Sequence, residues 1–135
     1  MFARFVILHH TGLGEGHFDF MLEDGDSLAT WQFDMNPLDG LTAAGRACDL
    51  TASETHACRL LCKRIQDHRP AYLDYEGPVS RNRGSVRQVE HGAFELIERS
   101  GRRWLIRLKG ARLEGLFELR PVGPDSWELS RSQGR

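Results

Sequence analysis

From His17 to Glu23 apolar side chains recur at every second position, Phe18, Phe20 and Leu22, with polar residues between them except at Met21. In an extended chain Phe18, Phe20 and Leu22 point to one face, and His17, Asp19, Met21 and Glu23 to the other. Asp24-Gly25 follows, a dipeptide suited to a tight type I′ turn, and residues 27–33 supply a second strand-like run. The segment reads as a β-hairpin with one apolar face.

The rest of the chain repeats short runs of this kind between turn residues. Phe2–His10 reads as a strand, and residues 11–16 as a glycine-rich loop. From Asp34 to Leu50 the pattern is irregular, with turns at Pro37 and Asp39-Gly40. Thr51-Ala-Ser-Glu54 resembles a capping box, which predicts a helix of about three turns ending near Ile65. Pro70 stops any such pattern. Strands are then expected at Ala71–Tyr75, Ser85–Val89, Phe94–Glu98, Arg103–Leu108, Leu113–Arg120 and around Trp127 and Leu129. These elements predict a mainly β fold, a small closed antiparallel barrel of about seven to nine strands with one or two short helices. A two-layer sandwich is the alternative. At 135 residues one domain, 1–135, is expected, with a core of its own.

Bulk properties narrow the class further. No apolar run approaches the roughly 18 residues of a membrane span, and Met1–Phe5 does not resemble a signal peptide. The cysteines, at 48, 58 and 62, are odd in number and form no disulfide framework, so a reducing cytoplasm is expected. Net charge is −1, yet residues 1–79 hold 6 Lys+Arg against 12 Asp+Glu, and residues 80–135 hold 12 against 7. That asymmetry suits carboxylates around a cation and a basic wall for a polyanion. Two ordinary solvated faces would show it as well.

Three constellations carry chemistry. His17 and Asp19 share a strand face, and either His9 or His10 closes the preceding apolar run. Adjacent strand residues face opposite ways, so only one of those two histidines can join the site. A mixed imidazole and carboxylate set suits Mn, Zn or Fe(II); a surface His beside an Asp is the ordinary alternative. Next, Asp67-His68-Arg69-Pro70-Ala71-Tyr72 places two proton donors beside a proline turn. His68 and Tyr72 are candidates to contact a phosphate and its leaving oxygen, or else to satisfy backbone groups of the turn. Arg81 and Arg83 belong to a glycine-containing turn, Arg81-Asn82-Arg83-Gly84-Ser85, and with Arg69 are candidate phosphate ligands, since guanidinium forks match phosphate oxygens. The remaining arginines read as solvated strand faces. Trp31, Trp104 and Trp127 read as barrel aromatics, and Cys58 and Cys62 as core-facing thiols.

Taken in order, the motifs resemble a known family. Phe5-Val-Ile-Leu-His-His10, His17-Phe-Asp-Phe-Met-Leu-Glu23, Asp67-His-Arg-Pro-Ala-Tyr-Leu-Asp-Tyr-Glu-Gly77 and Arg107-Leu-Lys-Gly-Ala-Arg-Leu-Glu-Gly115 are similar to segments of the 3′-phosphoesterase domain of the bacterial end-joining DNA ligases (ligase D). The similarity runs from Arg4 to about Arg120, in a chain that looks like a stand-alone member.

The resemblance implies a compact barrel and a Mn²⁺-dependent phosphoesterase. Its substrates would be DNA 3′ ends, from which a 3′-terminal ribonucleoside and a 3′-phosphate are removed during repair. It implies His10, His17 and Asp19 as metal ligands, with His68 and Tyr72 at the scissile phosphate. End-joining ligases or polymerases would be partners. Two features depart from the pattern: the loop before His17 differs in length and carries Gly14-Glu15-Gly16 in place of the family's basic loop residue, and Met21 stands where the family motif carries an Arg. The departure at Met21 supports an alternative, a non-catalytic module that binds nucleic-acid ends or a repair partner.

Overall fold

The hairpin forms as β2 (His17–Asp24) and β3 (Ser27–Phe33), with Asp24 paired to Ser27. Gly25 takes φ 63°, the left-handed conformation that this tight turn needs. The structure, a computed structural model, describes residues 3–12, 16–39, 41, 59–79 and 83–132. Its other strands are β1 (Ala3–Thr11), β4 (Arg59–His68), β5 (Gly77–Pro78), β6 (Ser85–Arg99), β7 (Trp104–Gly110), β8 (Glu114–Pro121) and β9 (Ser126–Arg131).

Every pairing is antiparallel, in the order β1-β2-β3-β4-β9-β8-β7-β6, and β6 returns to β1. Eight strands therefore close into a barrel, the expected class, and no long sheet edge is left open between them. The short strand β5 pairs with the start of β6 outside that ring. Among the described residues helical structure is confined to residues 37–39 and 41 and one 3-10 turn at Pro70–Leu73. Among the described residues no helix is long and apolar enough to cross a membrane.

Closure explains the one large misreading. The helix expected up to Ile65 is overturned: from Arg59 the chain is strand β4, hydrogen-bonded to β3 and β9. Leu60 and Cys62 alternate inward, a period of two that a helix would not use. Without β4, β3 and β9 would each present an unpaired edge. The capping box at 51–54 lies outside the described residues, as does Cys58. Two smaller expectations also change. Ala71–Tyr75 is not a strand, because Pro70 opens the 3-10 turn there. Ser85–Val89 and Phe94–Glu98 are parts of one 15-residue strand, β6, which pairs with β1 in its first part and with β7 in its last.

The barrel interior holds Phe5, Ile7, Phe20, Leu22, Trp31, Phe33, Trp104, Ile106, Phe117 and Leu129, among others. A second apolar cluster, Val6, Leu8, Met21, Leu28, Leu73, Val79 and Val86, lies on the other face of β1 and β2. Residues 5–8 and 19–22 are consequently buried on both faces. Each large apolar side chain so buried contributes about 1.5–3 kcal/mol. At one end Arg64 lies 4.7 Å from the Trp31 ring, 5.6 Å from Trp104 and 5.9 Å from Trp127. The three tryptophans are barrel aromatics, as expected.

The Arg107–Gly115 segment is explained by Glu90. This carboxylate is 2% exposed and accepts backbone N–H bonds from His91, Ala111, Arg112 and Leu113, at 3.0, 3.1, 2.7 and 2.6 Å. It closes the turn between β7 and β8 from inside. A Cβ at Gly110 would come 2.5 Å from Glu90 Oε2 and 2.8 Å from Phe5.

Candidate metal centre and phosphate cleft

The outer face of β1 and β2 gathers the histidines. His10 and His17 sit opposite each other in the β1–β2 ladder, with ring centroids 4.8 Å apart. Asp19 follows His17 on the same face, with Oδ2 3.4 Å from His17 Nε2. One ligand atom from each of His10, His17 and Asp19 lies within 4.8 Å of the others. His9 faces the other way and stacks on Phe18 at 4.2 Å, with the rings 7° from parallel. Of the two adjacent histidines, the structure brings His10 to this point.

The three donors form a set that could hold a cation. His10 Nε2 lies 2.5 Å from the Arg83 carbonyl, so a proton there leaves the Nδ1 lone pair free. Asp19 is 2% exposed, and its Oδ1 has no hydrogen-bond partner among the described residues. An unpaired buried carboxylate oxygen is costly, and a coordinated cation relieves that cost. Burial holds the Asp19 carboxyl above the usual range, against the pull of His17, His68 and His10. Two imidazoles and a carboxylate fit Mn, Zn or Fe(II).

Beside this group opens a cleft of about 380 Å³ whose lining includes His10, Asp19, Met21, His68, Arg69, Tyr72 and Arg83. His68 ends β4 opposite Leu28 of β3, which carries it to the same face. Its Nδ1 is 3.2 Å from the Gln66 carbonyl. In the imidazolium form that carbonyl holds Nδ1–H, leaving Nε2–H to be donated. Arg69 is extended, as a residue before proline must be, and the 3-10 turn then folds Tyr72 back toward His68. The two rings meet edge to face at 5.7 Å.

Several contacts hold that turn. Leu73 enters the outer apolar cluster, and its carbonyl accepts a 2.7 Å bond from Gln88 Nε2. Glu76 accepts from the Gln88 backbone N–H at 2.8 Å, and Arg4 pairs with Asp74. Asp67 accepts from Ser27 Oγ at 2.7 Å, tying the end of β4 to β3.

The arginine candidates separate. Arg69 is exposed on the cleft rim and forms no ion pair or side-chain hydrogen bond among the described residues. Arg83 also lines the cleft, whereas Arg81 lies outside the described residues. Arg103 pairs with Glu98 and Glu118, and Arg107 with Glu95, so these serve strand faces. Met21, 1% exposed, lies in the outer apolar cluster and lines the cleft with Leu8 and Val86. Sequence reasoning did not single out Gln66, whose backbone carbonyl orients His68. A backbone contact carries no residue-type signal by which it could be found. The sequence as a whole matches no family model and no curated protein.

Proposed function

We propose that the protein is a divalent-metal-dependent phosphoesterase that trims DNA 3′ ends, releasing a 3′-phosphate or a 3′-terminal ribonucleoside. The observation that carries this reading is the convergence of His10, His17 and Asp19 ligand atoms within 4.8 Å, beside a cleft that holds His68 and Tyr72. The ordered motif resemblance supports the choice of substrate.

In this reading His10, His17 and Asp19 hold the ion, with Mn²⁺ matching the mixed donor set. The ion supplies positive charge against the phosphoryl oxygens. Arg69 and Arg83 grip the phosphate, with Arg81 a further candidate, and the Tyr72 hydroxyl donates to a non-bridging oxygen. On a 3′-phosphate, water adds to phosphorus, the bond to the 3′ oxygen breaks, and His68 Nε2 gives that oxygen its proton; on a 3′-terminal ribonucleoside the bond that breaks first is the one to its 5′ oxygen, which takes the proton and leaves a 3′-phosphate for the second step. The product is a 3′-hydroxyl, the end that a ligase or polymerase uses in cytoplasmic DNA repair.

A 3′-phosphorylated primer–template incubated with Mn²⁺ should release inorganic phosphate, and His17→Ala and His68→Ala should each abolish the release. No turnover with any divalent metal, on 3′-phosphate or 3′-ribonucleotide ends, would sink the proposal.

One observation favours a second reading. Buried Met21 supplies no guanidinium to the reactive face. A non-catalytic module binding nucleic-acid ends or a repair partner would need none. An inert natural protein whose Met21→Arg variant hydrolyses ends would select this second reading.

A further inference from the structure

Beyond Tyr72 the cleft gives way to a second hollow of about 240 Å³, lined by Arg69, Ala71, Tyr72, Tyr75, Pro78 and Val79. Arg69, Tyr72 and Val79 belong to both spaces. We infer that this hollow seats the nucleobase of the terminal nucleotide whose 3′-phosphate lies in the cleft. The inference rests on the phosphoesterase reading and adds a subsite to it.

Three features point to a planar, partly apolar occupant. First, the rings of His68, Tyr72 and Tyr75 form a continuous series. Tyr72 meets His68 at 5.7 Å and Tyr75 at 5.9 Å, both edge to face. The series leads from the proton donor of the first space to the wall of the second.

Second, Tyr75 is a held aromatic surface. Its hydroxyl donates to the Pro78 carbonyl, while 38% of the residue stays exposed. Gly77, at φ 135°, passes so close that a Cβ there would lie 3.2 Å from the Tyr75 hydroxyl oxygen. An immobilised ring open to solvent stacks on a base at small entropic cost.

Third, Arg69 stands at the junction without an ion-pair partner among the described residues. From there its guanidinium can hold a phosphate oxygen while its stem covers the sugar. Among the described residues that line the second hollow, Arg69 is the one charged side chain. Recognition there is by stacking, which tolerates every base and favours the larger purine face.

The test measures binding without turnover. Metal-free protein is titrated with a short DNA oligonucleotide ending in 2-aminopurine deoxynucleoside 3′-phosphate, read by quenching of the base. A competing oligonucleotide ends in an abasic deoxyribose 3′-phosphate. The base-bearing end should bind about ten-fold more tightly, as stacking on one aromatic ring predicts. Tyr75→Ala should erase that advantage and Tyr75→Phe should retain it. Ala71→Trp, which fills the hollow while leaving Tyr75 in place, should also erase it. Equal affinity for the two ends in the natural protein overturns the subsite, as does an advantage that survives both Tyr75→Ala and Ala71→Trp. Tyr75-dependent quenching by a protein that releases no phosphate with any metal upholds the subsite and defeats the phosphoesterase reading alone.

Discussion

His10 and His17 are direct partners across the β1–β2 ladder, and their rings meet edge to face with centroids 4.8 Å apart. Their approach is therefore a property of strand register. A slip of one residue would turn His9 outward and His10 toward the barrel interior. Asp19 then needs only the two-residue period to join them.

Metal binding should follow that geometry. Mn²⁺ should raise the thermal midpoint of the natural protein. At an excess of 100-fold over Kd the gain is about 2.7 kcal/mol. His17→Ala and Asp19→Asn should each remove the gain, while His9→Ala should leave it, because His9 stacks on Phe18 instead. Differential scanning calorimetry with and without Mn²⁺ checks all three. A full shift in Asp19→Asn would refute Asp19 as a ligand.

The part of the site that lies on one hairpin was legible from the residues, because alternation alone assigns faces. His17, Asp19 and Met21 share the outer face as read from the sequence. Periodicity alone leaves His9 and His10 open; the resemblance implies His10, and the register with β2 sets His10 opposite His17. His68 reaches the same cleft only because β4 pairs with β3, a contact about forty residues distant in sequence. The part of that same β4 up to Ile65 reads as helix in the sequence, since Thr51-Ala-Ser-Glu54 resembles a capping box. Tertiary pairing outweighed that local signal from Arg59 onward. Burial of Met21 was hidden for a related reason: the outer face of β2 is itself partly covered by Leu73, Val79 and Val86.

Glu90 should matter more for stability than its isolation from the cleft suggests. Its carboxylate satisfies four backbone donors. Glu90→Ala removes those acceptors and leaves buried N–H groups unpaired, each costing roughly 1–3 kcal/mol. A loss of at least about 3 kcal/mol is expected in urea denaturation. Mn²⁺ binding by the fraction still folded should be unchanged. A loss below about 1 kcal/mol would show that water replaces the carboxylate in the turn.

Cys62 faces the core of β4, and burial, with Glu128 nearby, pushes its thiol up to about 12. The thiolate is the reactive form, so at pH 8 iodoacetamide should leave Cys62 largely unmodified in the folded protein. Unfolding in urea should restore ordinary reactivity, and peptide mass spectrometry reads this site separately from Cys48 and Cys58. The sign of the linkage follows. Because the folded thiol holds its proton to higher pH than the unfolded one, this group subtracts stability as pH rises from about 9 toward 12. Alkaline denaturation midpoints of Cys62→Ala should therefore depend less on pH above 9 than those of the natural protein.

Met21 connects the fold to the chemistry most directly, because one side chain both packs the outer cluster and lines the cleft. Met21→Leu conserves shape and should cost less than about 1.5 kcal/mol, with the Mn²⁺ shift intact. Met21→Arg places a guanidinium among Val6, Leu8 and Leu28, with Asp19 in the same cleft. Burying that charge should cost at least about 2 kcal/mol in plain buffer. Inorganic phosphate should restore part of the loss in Met21→Arg, since an anion in the cleft pairs with the new guanidinium. Urea denaturation with and without phosphate measures the difference. If phosphate stabilises Met21→Arg no more than the natural protein, the side chain at position 21 does not reach the phosphate site, and the missing Arg cannot decide whether the cleft is catalytic.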